Sequence, residues 1–111
     1  MKCKNNKEYI TVFPKGRLDL NTSQVLEKEL IKIVDEEQRH LLMNFRYIEY
    51  LQSSGIRLIL TLHNRLLDQG NELILCEINA SVKKIIEFVD LNGIVNIFRD
   101  EDETAEYIQS L

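Results

Sequence analysis

Tryptophan is absent from the 111 residues, proline occurs once, cysteine twice and glycine four times. So little proline and glycine excludes a collagen-like or low-complexity chain. The two cysteines, Cys3 and Cys76, stand far apart and outside any CxxC pattern, which argues against a disulfide scaffold or a metal site. A reducing cytoplasm is the compartment this usage points to. No apolar run approaches the roughly 20 residues that span a bilayer, so membrane insertion is not expected. Met1–Lys7 lacks the apolar centre of a secretory signal. A basic excess is missing too. Lys and Arg number 14 against 18 Asp and Glu, a formal net charge of −4, so the footprint of a nucleic-acid binder is not there. Walker A, GxGxxG and GxSxG patterns are absent, and His40 and His63 are isolated. No enzyme activity and no cofactor is therefore expected.

What is present is an ordinary globular balance, 44% hydrophobic and 29% charged, in a length that suits one domain over residues 1–111. Glu8–Phe13 reads as a strand, and Asn5-Asn6 can turn a hairpin from a short leading strand at Lys2–Lys4. Pro14 cannot donate to a ladder, which suggests a sheet edge or a bulge, and Gly16 allows a kink before Arg17-Leu18-Asp19. Asn21, Thr22 or Ser23 can cap a first helix that ends near Glu37, with Val25, Leu26, Leu30, Ile33 and Val34 on its inner face. Leu41–Phe45 is a short buried strand, followed by a loop.

A second helix over about Ser54–Gln69 is apolar around most of its girth. Arg57, Thr61, Asn64, Arg65 and Asp68 form its single polar stripe. Leu73–Cys76 suits an interior parallel strand, with Cys76 as a small buried residue. Asn79 or Ser81 can start a third helix with inner face Val82, Ile85, Ile86 and Val89, stopped by Asn92-Gly93. Ile94–Phe98 is a last strand. Asp100–Glu103 then opens a closing helix, where acids complement the helix dipole better than they suggest a cation site. Alternating helices and strands predict an α/β fold: a mixed, mostly parallel sheet of about four to five strands with about four helices.

The chain is organised around Tyr47–Leu60. Here an apolar strand leads through a loop to Gln52-Ser53-Ser54-Gly55 and a helix start. Free N–H groups and the positive end of the helix dipole meet the two serine hydroxyls. Such a place stabilises added negative charge, a phosphate included. A capping role accounts for either serine without any chemistry. Tyr47, Tyr50 and Leu51 form either an exposed recognition patch or, with Ile48 and Leu51 turned inward, a row of tyrosine edges.

The ordered set of motifs resembles a known family. Gly16-Arg17-Leu18-Asp19-Leu20 is similar to its "G-x-L-D". Asn44 to Ile56 is similar to "D-L-x-x-V-x-x-(I/M)-D-S-(S/T)-G-L". Leu91 to Phe98 is similar to its "L-x-x-(I/L)-F" end. By these residues the chain resembles the STAS-domain anti-sigma factor antagonists.

The resemblance implies a phosphorylation-switched binding module. In that family the unphosphorylated form sequesters an anti-sigma factor that is also a serine kinase of the GHKL ATPase type, and so releases a sigma factor. Phosphorylation breaks the complex, and a serine phosphatase resets it. By position the acceptor is Ser53, with Ser54 as second choice. The partner surface would take in Asp19, Tyr47, Tyr50, Gln52, Ser53, Ser54, Gly55 and Arg57. Two family aspartates are amides here, Asn44 and Gln52. Arg57, about one turn beyond Ser53, could pair with a phosphate there. The other readings are a constitutive STAS scaffold or subunit of a transporter or signalling complex, and a small ligand-binding protein or enzyme.

Overall fold

Leu41–Met43 and Leu73–Cys76 are apolar at every position, and all seven residues are buried. Strands of that kind need cover on both faces. In the computed structural model, which describes residues 1–111, both are interior strands of a five-stranded sheet. The chain runs β1 (Lys2–Asn5), β2 (Tyr9–Phe13), β3 (Lys15–Leu18), α1 (Leu20–Glu37), β4 (His40–Asn44), β5 (Tyr47–Leu51), α2 (Ser53–Asp68), β6 (Leu73–Cys76), α3 (Ala80–Phe88), a 3-10 turn at Leu91–Gly93, β7 (Asn96–Phe98) and α4 (Glu101–Gln109).

The sheet order is β1-β2-β4-β6-β7. β1 pairs antiparallel with β2, as the hairpin at Asn5-Asn6 predicts, and the other pairings are parallel. Because the strands advance in one direction, right-handed crossovers put α1, α2 and α3 on one face. Alternate residues confirm this. Ile10, Val12, Leu41, Met43, Leu73 and Leu75 share a core with Leu30 and Val34 of α1, Leu58, Ile59, Leu62 and Leu66 of α2, and Val82 and Ile86 of α3. Their neighbours Leu42, Ile74 and Cys76 point the other way, onto Ile108 of α4. The expected α/β class, the mixed mostly parallel sheet and the four α-helices are all present.

Some local expectations need correction. The segment after Phe45, expected as a loop, contains strand β5, which pairs in parallel with β3 as a separate two-stranded ribbon. The register slips between Gly16 and Arg17, leaving Glu49 as the extra residue, and Gly16 has φ +88°. That bulge places Ile48 and Leu51, three apart, both inward, so the two-residue alternation of a strand is lost. Pro14 is buried between β2 and β3, and β2 lies next to the edge strand β1, near the sheet edge as expected.

The α1 cap is Asp19, not Asn21, Thr22 or Ser23. Thr22 N–H donates to Asp19 Oδ1 at 3.0 Å, and Asp19 N–H donates to Thr22 Oγ1 at 3.1 Å, a reciprocal capping box. Val25 and Val89, expected inside, are 70% and 41% exposed. Helices α1 and α2 are joined at the surface by Arg65, which grips Asp35 through two 2.7 Å hydrogen bonds.

Candidate functional site

The site begins with how closely α2 is laid on the ribbon. Gln52 N–H donates to Leu18 O at 3.1 Å, carrying the β3–β5 pairing up to the helix start. Gly55 then sits against β3. A Cβ there would stand 2.5 Å from Leu51 Cδ1, 2.9 Å from Leu18 Cβ and 3.1 Å from Leu18 O. Only glycine allows that approach. Gly55 is buried, so it fixes the position of the serines and offers no side chain to a partner.

The N-terminus of α2 differs from those of the other three α-helices. Asp19, Asn79 and Asp100 cap α1, α3 and α4 with side-chain acceptors. At α2 the cap position is Gln52, whose side chain makes no capping hydrogen bond, and the first turn contains no acid. Neither serine is therefore the cap. Ser53 is the first helical residue and is exposed, its hydroxyl open to solvent. Ser54 is half-buried, and its Oγ is enclosed without a partner. The N–H groups of Ser53 and Ser54 have no intrahelical acceptor, whereas those of Gly55 and Ile56 donate to Gln52 O at 2.9 and 3.1 Å, and the helix dipole brings its positive end here.

The flanks are cationic and aromatic. Tyr47 and Tyr50 are 48% and 38% exposed, while Ile48 and Leu51 are buried, so the second of the two alternatives posed for this segment holds and Leu51 is not part of the exposed surface. The Arg17 guanidinium lies over the Tyr50 ring, 4.7 Å from its centroid. Lys15 is in register with Tyr47, and Arg17 with Tyr50. Lys15, Arg17 and Arg57 are exposed, and none forms a salt bridge. Lys15 and Arg17 were not foreseen as members of this surface. Their signal would have been a strand at Lys15–Leu18 running beside the tyrosines. Asp19 follows Leu18 at the end of the strand that adjoins the start of α2, with its carboxylate committed to capping α1. The Thr22 N–H bond, ahead of the other influences, holds that carboxyl below its ordinary value.

Asn44 stands apart. It is fully buried at the end of β4, where its Nδ2 donates to Glu77 Oε2 at 2.6 Å and to Glu101 Oε2 at 3.1 Å. Its Oδ1 accepts from Arg46 N–H at 2.9 Å. Arg46 adds a 2.7 Å bond to Glu77 and thereby holds the Glu77 carboxyl below its usual range. Lys4 closes the cluster on Glu101 at 2.7 Å. An amide fits between two carboxylates because it donates, and an aspartate would not. The acidic run Asp100–Glu103 is accounted for in the same way. Asp100 caps α4 by accepting Glu103 N–H at 2.9 Å, and Glu101 belongs to this network. His40 is used structurally, its Nδ1 accepting from Glu72 N–H at 3.0 Å.

Residues 2–104 match the STAS domain family. The chain belongs to that family. Among curated proteins, this STAS chain is 29% identical to BtrV of Bordetella bronchiseptica, named as a candidate anti-sigma factor antagonist, over 75% of this chain and 69% of BtrV. Among solved structures it resembles a candidate anti-sigma factor antagonist from Thermotoga maritima, with TM-score 0.90 and 15% identity over 97% of this chain and 93% of the other. It also resembles the anti-sigma factor antagonist SpoIIAA in its unphosphorylated form, with TM-score 0.76 and 16% identity over 99% and 98%. The phosphorylated form of the Bacillus SpoIIAA matches at TM-score 0.72 and 17% identity, over 96% of this STAS chain and 97% of the other. No helix of the chain is long and apolar enough to cross a membrane.

Proposed function

We propose that this STAS protein is an anti-sigma factor antagonist switched by phosphorylation of Ser53. The observation that carries the reading is the start of α2: an exposed Ser53 hydroxyl on the one α-helix without a side-chain cap. A phosphate there adds about −1.5 to −2 charges where first-turn N–H groups and the dipole stabilise them, so the fold is retained. Arg57, one turn on, supplies a cation for the phosphate. A partner docked on Ser53, Gln52, Tyr47 and Tyr50 does not share that tolerance. Bulk and charge at the middle of its interface shift binding by orders of magnitude.

The partner is an anti-sigma factor that is also a serine kinase of the GHKL ATPase type, and a serine phosphatase restores the binding form. The protein acts in the cytoplasm, as one STAS domain over residues 1–111, by binding rather than by catalysis. A second reading, a constitutive STAS module, draws support from the two amides: Asn44 is fully engaged with Glu77 and Glu101, and Gln52 puts no carboxylate beside Ser53.

The test is phosphopeptide mapping of the protein from its own cells, joined to binding assays with GHKL-type ATPases of the same genome. The switch reading expects phosphate on Ser53, binding retained by Ser53→Ala, and binding weakened at least about 100-fold by Ser53→Asp, about 2.7 kcal/mol. Phosphate on Ser54 alone moves the acceptor by one residue. Binding with no phosphate under any growth condition selects the constitutive module, and failure to bind any such ATPase refutes the antagonist reading.

A further inference from the structure

One cavity lies away from Ser53. It is a groove of about 900 Å³ between β1, the β2–β3 corner and the first turns of α1. Phe13, Pro14, Leu18, Val25 and Leu26 give it apolar walls. Its volume falls in the range of roughly 300–1,000 Å³ typical of small-ligand sites, which combine apolar walls with a few placed polar groups. Val25 belongs to the apolar stripe of α1 yet is 70% exposed, because the groove leaves that part of the helix without a protein neighbour.

The charges lining the groove are unbalanced. Glu29, the one acid, is paired with the N-terminal ammonium at 3.5 Å. Lys2 and Lys15 form no salt bridge. The Lys2 ammonium lies 5.4 Å from the Phe13 ring centroid, at the apolar wall itself. An apolar trough with free ammonium groups is complementary to a molecule with an apolar chain and an anionic head.

We propose that this groove binds a single-chain fatty carboxylate, its chain along Leu18, Val25 and Leu26 and its carboxylate at Lys2 and Lys15. The inference is independent of phosphorylation. It nevertheless touches the same surface, since Tyr47 lines the groove and also belongs to β5. An occupied groove therefore alters the ground on which a partner docks.

The experiment titrates the full chain with dodecanoate below its micellar concentration, by calorimetry and by methyl NMR. Dodecyltrimethylammonium and anionic phospholipid vesicles are run in parallel. The expected result is saturable 1:1 binding of dodecanoate, with shifts centred on Leu18, Val25 and Leu26. The cationic amphiphile of equal chain length should bind at least about tenfold more weakly. Lys15→Glu and Val25→Glu, both at exposed positions, should each reduce dodecanoate affinity about tenfold with unchanged circular dichroism. Equal affinity for the two amphiphiles overturns the proposal, and so does the absence of saturable binding. Shifts centred on the other exposed apolar cluster, Phe88, Val89 and Ile94, or binding to vesicles alone, overturn it as well.

Discussion

Asn44→Asp restores the carboxylate that the STAS pattern carries at this position, at nearly unchanged volume, so no cavity is made. What changes is the sign of the hydrogen bonding. The amide donates to Glu77 at 2.6 Å and to Glu101 at 3.1 Å. Hydrogen bonds to charged groups contribute about 1.5–3 kcal/mol each. The Glu77 and Glu101 side chains are 25% and 23% exposed, so solvent screening argues for the low end. Two such bonds lost come to about 3 kcal/mol at pH 7. Repulsion among three carboxylates adds to this until the introduced carboxyl takes up a proton, which limits the total. For a domain of this size that is a fall in Tm of roughly 10 °C.

The introduced carboxyl has a folded-state pKa raised above its unfolded value of about 3.9, so the folded form binds more protons between the two values. Its penalty is full at neutral pH and shrinks as pH falls through the raised pKa. Urea unfolding followed by circular dichroism at pH 7 and pH 5 measures both effects. Adding Glu77→Gln to Asn44→Asp replaces one acceptor with a donor and should recover about half of the loss. A loss under about 1 kcal/mol, a gap that widens at pH 5, or no recovery in the double variant would show that Asn44 does not hold the two carboxylates in this way.

Gly55→Ala should destabilise by about 1–3 kcal/mol in a thermal melt, because overpacking against Leu18 outweighs the helix preference of alanine. In thiol labelling at pH 8, exposed Cys3 should react quickly. Cys76 should react far more slowly in native buffer and as quickly as Cys3 only in denaturant, since burial pushes its thiol up to about 12. Asp19 and Asp100 are held below their ordinary values, first by the backbone N–H groups of Thr22 and Glu103. Depressed carboxyls contribute stability above their unfolded pKa of about 4 and lose it as pH falls through the lower folded values. Tm should therefore drop below about pH 4, and Asp19→Asn with Asp100→Asn should flatten that slope.

The parts of the fold legible in the sequence are those where one residue pattern answers to one environment. Leu73–Cys76 reads as a strand covered on both sides and is one, and the apolar girth of Ile56–Leu67 packs into the core through Leu58, Ile59, Leu62 and Leu66, although Leu67, expected inside, is 58% exposed. The ribbon was not legible. Its strands are short, and the bulge at Gly16–Arg17 replaces alternation with a three-residue spacing from Ile48 to Leu51. The exposed Ser53 and the tyrosines were readable from position. The absence of a cap at Gln52 and the enclosure of Ser54 Oγ were not, since both depend on where β3 lies. Asn44 showed the limit of motif reading most clearly. Its departure from the family pattern acquires a cause only when Glu77 and Glu101, far along the chain, arrive beside it.

The two faces of the sheet are unequally defended. Three helices anchor one face with a core of 20 buried residues, whereas the other has a cluster of four, closed by α4 through Ile108. A nine-residue helix that closes so small an apolar cluster is the expected place for local opening while the rest of the chain stays folded. Each lift uncovers Leu42, Ile74 and Cys76 together. The thiol of Cys76 is then a clock for that motion: its slow labelling in native buffer counts openings of the C-terminal helix, and its lag behind Cys3 measures their free energy.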